Sequence, residues 1–468
     1  MEERNYEERA AALDALLGEG RSFDMTSRTL RLAGRRAKLW VVNGYADDAV
    51  LERMVSAWLH IPEGETFSGL QDFLERCVSI ADAAVETDRR KAVTAVFAGK
   101  ALLLIEGLAG CLLLDAKQLP LRAVEEPDSS RVLRGSHDGF GESLMRNAAL
   151  LRRRVRDPAL TLELHQVGGR TVLDTALCYM EGLADEELLT ELRRKLAAME
   201  LRSASMGQES VAESLSPRQW YNPFPKVRYT ERPDVAAACL MEGNVLLLVD
   251  NSSSAMILPT TFFSFAEEIN DYYFPPVIGS YLRTVRLAVL TMTLFITPMW
   301  YLLVRDPVHL PAPLRFLLVE GEYAVPLIAQ LLLVEFIIDT LKLASLNTPN
   351  ALSNSFSMLG ALILGDFAVR SRWLVPEVLV YMAFVAVANY AQHSYEMGYA
   401  FKLCRMLLLV LIHLGGWWGF GLGIAAILTL IATTKPLAGR GYLYPLMPFD
   451  GRALWALLHR RPAGRENT

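Results

Sequence analysis

The sequence is poor in cysteine: five among 468 residues, at positions 77, 111, 178, 239 and 404, an odd total with no C-x-x-C pair. That scatter excludes a cysteine-held metal finger and a small fold stapled by disulfides. There is no surplus of positive charge either, with 47 Lys and Arg against 52 Asp and Glu and no basic stripe, so nucleic acid is not expected as a partner. Phosphate-loop, dinucleotide-fold, H-E-x-x-H and G-x-S-x-G motifs are all missing. The seven histidines, at 60, 137, 165, 309, 393, 413 and 459, show no ligand spacing. Neither an enzyme nor a metal or cofactor site is therefore expected. The first twenty residues are polar and acidic, without the basic start and apolar core of a signal peptide, so the first half is expected in the cytoplasm.

What the chain has in abundance is apolar surface, 52% hydrophobic residues with a mean hydropathy of +0.23. Charge is spread evenly through residues 1–286 (net −8) and then thins out over 287–468 (net +3). Residues 287–304 carry no charge, enough for about 27 Å of helix, with Pro298 inside. Further apolar windows lie at 323–338, 374–392 and 403–434. In the last, residues 406–434 would make about 43 Å of helix against a hydrocarbon core of about 30 Å. One tilted span, or a break at Gly415-Gly416, would each accommodate it. Residues 347–357 are polar and precede a short apolar piece at 358–369, which predicts a re-entrant or discontinuous segment near 347–369.

With about four spans and the first half inside, Arg283, Arg286, Lys342, Arg370, Arg372, Lys435 and Arg440 fall inside and Arg305, Arg315, Lys402 and Arg405 outside. The bias is positive-inside; five or six spans remain the alternative.

The first half repeats itself. WVVNGYADDAVLERM from Trp40 aligns with CYMEGLADEELLTEL from Cys178, and ALLLIEGLAGCLLLD from Ala101 with VLLLVDNSSSAMIL from Val245, at offsets of 138 and 144 residues. Each copy reads as an apolar strand, a turn glycine, a helix capped by Asp47 or Asp185, and a later hairpin. The fold class expected is therefore an α/β cytoplasmic domain of two related lobes followed by an α-helical multi-span membrane domain. Its parts are lobe 1 (1–145), an Arg-rich linking helix with lobe 2 (146–280), the membrane domain (281–435) and a basic tail (436–468). Arg152, Arg153, Arg154 and Arg156 on the linking helix read as a solvated face, with an anion or partner contact as the rival.

Ionisable groups at membrane depth are costly and commonly face a cavity or a partner. Glu335 and Asp339 lie four apart and Lys342 three further, on one helix face. Glu335 is the deeper candidate for a transport pathway; Asp339 fits either the pathway or a local pair with Lys342. Asn347, Asn350 and Asn354, with Asp366 closing the apolar piece, would supply further polar groups to that pathway. Pro349, Gly360 and Gly365 would break the segment. Capping of an ordinary polar turn is the competing reading of the asparagines. GFGLG at 419–423 reads as close helix packing rather than a nucleotide loop.

In chain order, FGESLMRNAALLRRRVRD (from Phe140), TERPDVAAACLMEGNVLLLVDNSSSAMILP (from Thr230), DYYFPPVIGSYLRTVR (from Asp271), SMLGALILGDFAV (from Ser357) and SYEMGYAFKLCR (from Ser394) resemble the A subunits of the GerA family of spore germination receptors. Glu335, Asp339, Lys342, Pro349, Gly360 and Gly365 match the family pattern, acid for acid and base for base. Asn347 stands where receptor A subunits usually have Arg, and Ser353-Asn354 where they have Gly-Gln. The resemblance implies a multi-pass protein of the spore inner membrane, in contact with lipid, that promotes germination. It further implies a homo-oligomer enclosing an ion or small-solute channel and acting with other inner-membrane germination proteins. A non-conducting receptor or scaffold that recruits those proteins through its lobes is the alternative.

Overall fold

Strand β2 (Arg35–Val42) alternates apolar residues to both of its faces, and such a strand needs cover on both sides. In lobe 1 it pairs with β1 (Met25–Leu32) and β4 (Ala101–Ile105), and the sheet continues through β5 (Cys111–Leu114) to β3 (Ala83–Glu86), all antiparallel. One face packs Ala37 and Leu39 against Leu51, Met54, Val55 and Trp58 of α2 (Asp48–Leu59), beside α3 (Leu70–Cys77). The other packs Trp40 and Val42 against α1 (Glu2–Leu17) and α4 (Arg89–Phe97). The computed structural model describes residues 2–118, 136–169, 172–199, 207–216, 219–268, 270–307, 312–319, 323–347, 368–390, 392, 394–437 and 441–458.

Lobe 2 has the same strand order one copy later: β6 (Leu160–Val167), β7 (Leu173–Met180), β9 (Val245–Val249), β10 (Ala255–Leu258) and β8 (Arg228–Thr230). Leu177 and Tyr179 face α6 (Glu186–Ala197) and α7 (Gln208–Leu215), while Ala176, Cys178 and Met180 face α5 (Leu144–Arg154) and α8 (Pro233–Met241). The sequence signals of the repeat occupy equivalent places. Gly44 and Gly182 take φ +82° and +80°, where a Cβ would be strained. Asp47 accepts from the Val50 amide at 3.1 Å and Asp185 from the Glu187 amide at 2.9 Å. Each lobe opens on a hairpin rather than a single strand, and both sheets are antiparallel instead of wound as parallel βαβ units.

Arg152 corrects the reading of a solvated arginine face. It is fully buried, donating from Nε and Nη2 to Asp24 at 2.9 and 3.0 Å and from Nη1 to the Leu160 carbonyl at 2.8 Å. Its guanidinium also lies 5.0 Å from the Phe97 ring centre. Asp24 precedes β1 and Arg152 lies in the last turn of α5, so the pair ties the first lobe to the linking helix. Of the remaining arginines, Arg156 is exposed.

The second unit is helical. Its elements are a turn α9 (Asn270–Tyr273), α10 (Pro276–Arg305), α11 (Leu327–Asn347), α12 (Pro376–Tyr390), α13 (Tyr395–Ala432) and a short α14 (Gly451–Leu458). By length and composition, α10 and α13 can each cross a membrane; α12 is apolar but shorter. At Gly416 (φ +56°, ψ −130°) α13 leaves helical geometry. The two arms fold back on each other: a Cβ on Gly419 would clash with the Leu411 carbonyl oxygen, and one on Gly423 with Leu408 Cδ1. Of the tilt and the break, the chain takes the break, and does so as a reversal. The Ile412 and His413 carbonyls, in the last turn before the reversal, accept from the Arg305 guanidinium. Gly419→Ala is expected to lower thermal stability by about 1–3 kcal/mol. Gly421→Ala, with nothing within 4 Å, should leave the unfolding midpoint where it is in the same detergent-solubilised scan.

Candidate functional site

Two helices bring charge into the interior of the helical unit, and a third supplies a backbone acceptor. Glu335, two turns into α11, is buried and accepts from Arg405 Nε at 2.8 Å; Lys402 Nζ lies 3.4 Å from its other oxygen and pairs closely with Asp339. Arg405 is fully buried, and its Nη1 donates to the Thr293 carbonyl of α10 at 2.7 Å. A backbone carbonyl has two lone pairs, so that of Thr293 can accept from Arg405 as well as within its own helix; the carbonyl that Pro298 leaves without a helical amide is that of Leu294. Acids spaced i, i+4 on α11 thus meet bases spaced i, i+3 on α13, so each helix presents its charges along one face.

Two acids and two bases neutralise one another here. An isolated carboxylate in an apolar bundle is held there only by pairing or by loss of its charge. The charges therefore form a closed cluster, with Asp339 at its more exposed end. Asp339 pairs with Lys402, and the Lys342 ammonium lies 5.6 Å from the Tyr399 ring centre.

Of the residues expected to form a pathway, the structure brings Glu335 and Asp339 together. Asn347 is the last residue of α11. Asn350, Asn354, Asp366, Pro349, Gly360 and Gly365 lie outside the described residues. Lys402 and Arg405 were missed as members of the site. The expectation counted them as loop charges, whereas they are buried in α13. The available signal was their spacing at the head of a 29-residue uncharged run, matching the acid pair of another apolar helix.

The same count treated Lys342, Arg370 and Arg372 as one inside loop. Yet the Ala324 amide donates to the Arg372 carbonyl at 3.2 Å, and the Val375 amide to Gln330 Oε1 at 2.9 Å. Arg372 therefore sits beside the start of α11, with Lys342 about 22 Å along that helix at 1.5 Å per residue. Arg283 and Arg286 are not free loop charges either, since both pair with the buried Asp271.

The sequence matches the family model described as Bacillus/Clostridium GerA spore germination protein over residues 11–468. It is 34% identical to "Stage V sporulation protein AF" of Bacillus subtilis (strain 168) over 446 residues, covering 95% of this chain and 90% of that protein. It is 26% identical to "Spore germination protein KA" of the same organism over 426 residues, covering 90% and 78%. The crystal structure of the N-terminal domain of the A subunit of the Bacillus megaterium spore germinant receptor GerK3 aligns with a TM-score of 0.42 at 23% identity, covering 54% of this chain and 94% of that one.

Proposed function

The chain belongs to the Bacillus/Clostridium GerA spore germination family, and from that premise we propose that it is a multi-pass protein of the spore inner membrane that promotes germination as a subunit of a homo-oligomeric ion or small-solute channel. The observation that carries this reading is the charged cluster of Glu335, Asp339, Lys402 and Arg405 at depth in an apolar helical unit. Charges kept there against their desolvation cost suit a pathway wall whose pairs can exchange partners. In this reading the paired cluster is the closed state, and conduction requires Glu335 or Asp339 to release a base.

Chain connectivity supports an even number of crossings. The long helical stretch runs from Thr261 to Lys435, and the residues on either side, Thr260 and Pro436, both belong to the unit that holds the lobes. Leu437 is buried in the core of lobe 2. A chain that leaves one side and returns to it crosses evenly, which disfavours five spans. An even count suits four or six crossings, with the lobes cytoplasmic and other germination proteins as partners.

One observation favours a second reading, a non-conducting scaffold: Glu335 is fully paired, as a carboxylate in a purely structural bundle would also be. Ion flux from liposomes holding the purified protein separates the two. The channel reading predicts flux with the wild type, changed in rate by the double variant Glu335→Gln/Arg405→Gln at matched levels of folded protein. No flux from a folded oligomer would favour the scaffold.

A further inference from the structure

The two lobes differ at one equivalent place. In lobe 2, Tyr179 of β7 donates to Glu163 of β6 at 2.7 Å, and Arg193 of α6 donates to the same carboxylate at 2.7 and 3.0 Å and to the Tyr179 hydroxyl at 3.0 Å. Burial pushes the Glu163 carboxyl up, but the bonds from Arg193 and Tyr179 outweigh it and hold it below the usual range. Ring, carboxylate and guanidinium fill the angle between the edge hairpin and the helix.

Strand register assigns the counterparts in lobe 1. Thr26 pairs with Val41 as Thr161 does with Tyr179, and Arg28 with Leu39 as Glu163 does with Leu177. Counted from the caps Asp47 and Asp185, Val55 stands where Arg193 does. The tyrosine is thus replaced by Val41, the arginine by Val55 and the glutamate by Arg28. A groove of about 430 Å³ is left, lined by Thr26, Arg28, Leu39, Val41, Leu51 and Val55, within the size range of binding pockets. Arg28 on its strand side, and Asp48 and Glu52 on its helix side, are exposed, and their side chains make no hydrogen bond or ion pair among the described residues.

We propose that this groove docks a segment of a partner protein that seats an aromatic side chain on Val41 and Val55 and directs a neighbouring carboxylate to Arg28. Lobe 2 carries the complement within its own chain: a ring over the same sheet position, held by an acid and a base. In lobe 1 the charge at the strand position is inverted, so the incoming group opposite it is an acid. Asp48 and Glu52 repel a carboxylate from the helix side and accept a base there, which fixes the direction of the segment. A buried aromatic anchor with a charged rim is the usual make-up of an energetically dominant contact.

The test places a photo-cross-linking residue at Ser56, on the groove's rim, in the full-length protein in the membranes where it is made, with the same residue at Arg194 of lobe 2 as control. The expected product joins Ser56 to a segment of a different protein with Phe, Tyr or Trp within two residues of Asp or Glu. Its yield should fall by about an order of magnitude in Val41→Tyr, which installs the ring of lobe 2, and in Arg28→Glu, as loss of one anchor implies. Arg28 is exposed, so its reversal reads the contact even if Val41→Tyr unfolds the lobe. The proposal is overturned by a yield no higher than at Arg194, by a product with lipid or a second copy of this chain, or by a yield unchanged in Arg28→Glu.

Discussion

Arg405→Gln is expected to destabilise the helical unit by about 3–5 kcal/mol, the usual cost of removing one partner from a buried ion pair. Arg405 is fully buried and joins Glu335 of α11 to the Thr293 carbonyl of α10, so its loss strands a carboxylate and releases a contact between helices. The double variant Glu335→Gln/Arg405→Gln removes both charges and should recover most of the loss, since replacing a whole buried pair is often neutral. Lys402→Gln should cost less, because Arg405 still holds Glu335. Thermal unfolding in detergent, followed by tryptophan fluorescence, checks the order. Equal midpoints for Arg405→Gln and the double variant would mean that stranding of Glu335 is not the cause.

Asp24→Ala should have a comparable effect in the unit that holds the two lobes. Asp24 takes two charge-assisted bonds from Arg152, and both side chains are almost fully buried. Truncation leaves a guanidinium with only Ser22 and carbonyl partners, at a cost of about 3–5 kcal/mol. Arg156→Ala, on an exposed residue of the same run, should stay within about 0.5 kcal/mol of wild type. Urea unfolding of the two variants measures the difference, and similar midpoints would return Arg152 to the solvated role its sequence context suggests.

Local signals in this chain were readable; distant partners were not. The glycines and aspartates that open α2 and α6, and the short apolar runs of the inner hairpins, act over a few residues and mark the repeat. Strand β1 was not legible, because four of its eight residues are exposed polar ones and only its pairing with β2 identifies it. Strands β3 and β8, of four and three residues, carry too little pattern to be seen. Among the site residues, Glu335 declared itself as an acid in an apolar run. Its partner lies 70 residues away and Arg152's 128 residues away, and neither partner has a neighbour in sequence that announces the pairing. Charge counting failed for Lys402 and Arg405 for the same reason: a base near a helix start reads as a loop charge until an acid on another helix draws it inward. The Gly415-Gly416 pair signalled a break, and Gly419 and Gly423, four apart, are the small residues that let the arms close after it.

The most direct measurement is a planar-bilayer recording of current and reversal potential for the wild type and for Glu335→Gln/Arg405→Gln, the pair of substitutions that keeps the bundle free of stranded charge. A pathway lined by Glu335 gives a wild-type conductance and, in the double variant, a shift in cation-to-anion preference or in open probability. Identical conductance, selectivity and gating in the two proteins would contradict the placing of Glu335 and its partners on the pathway.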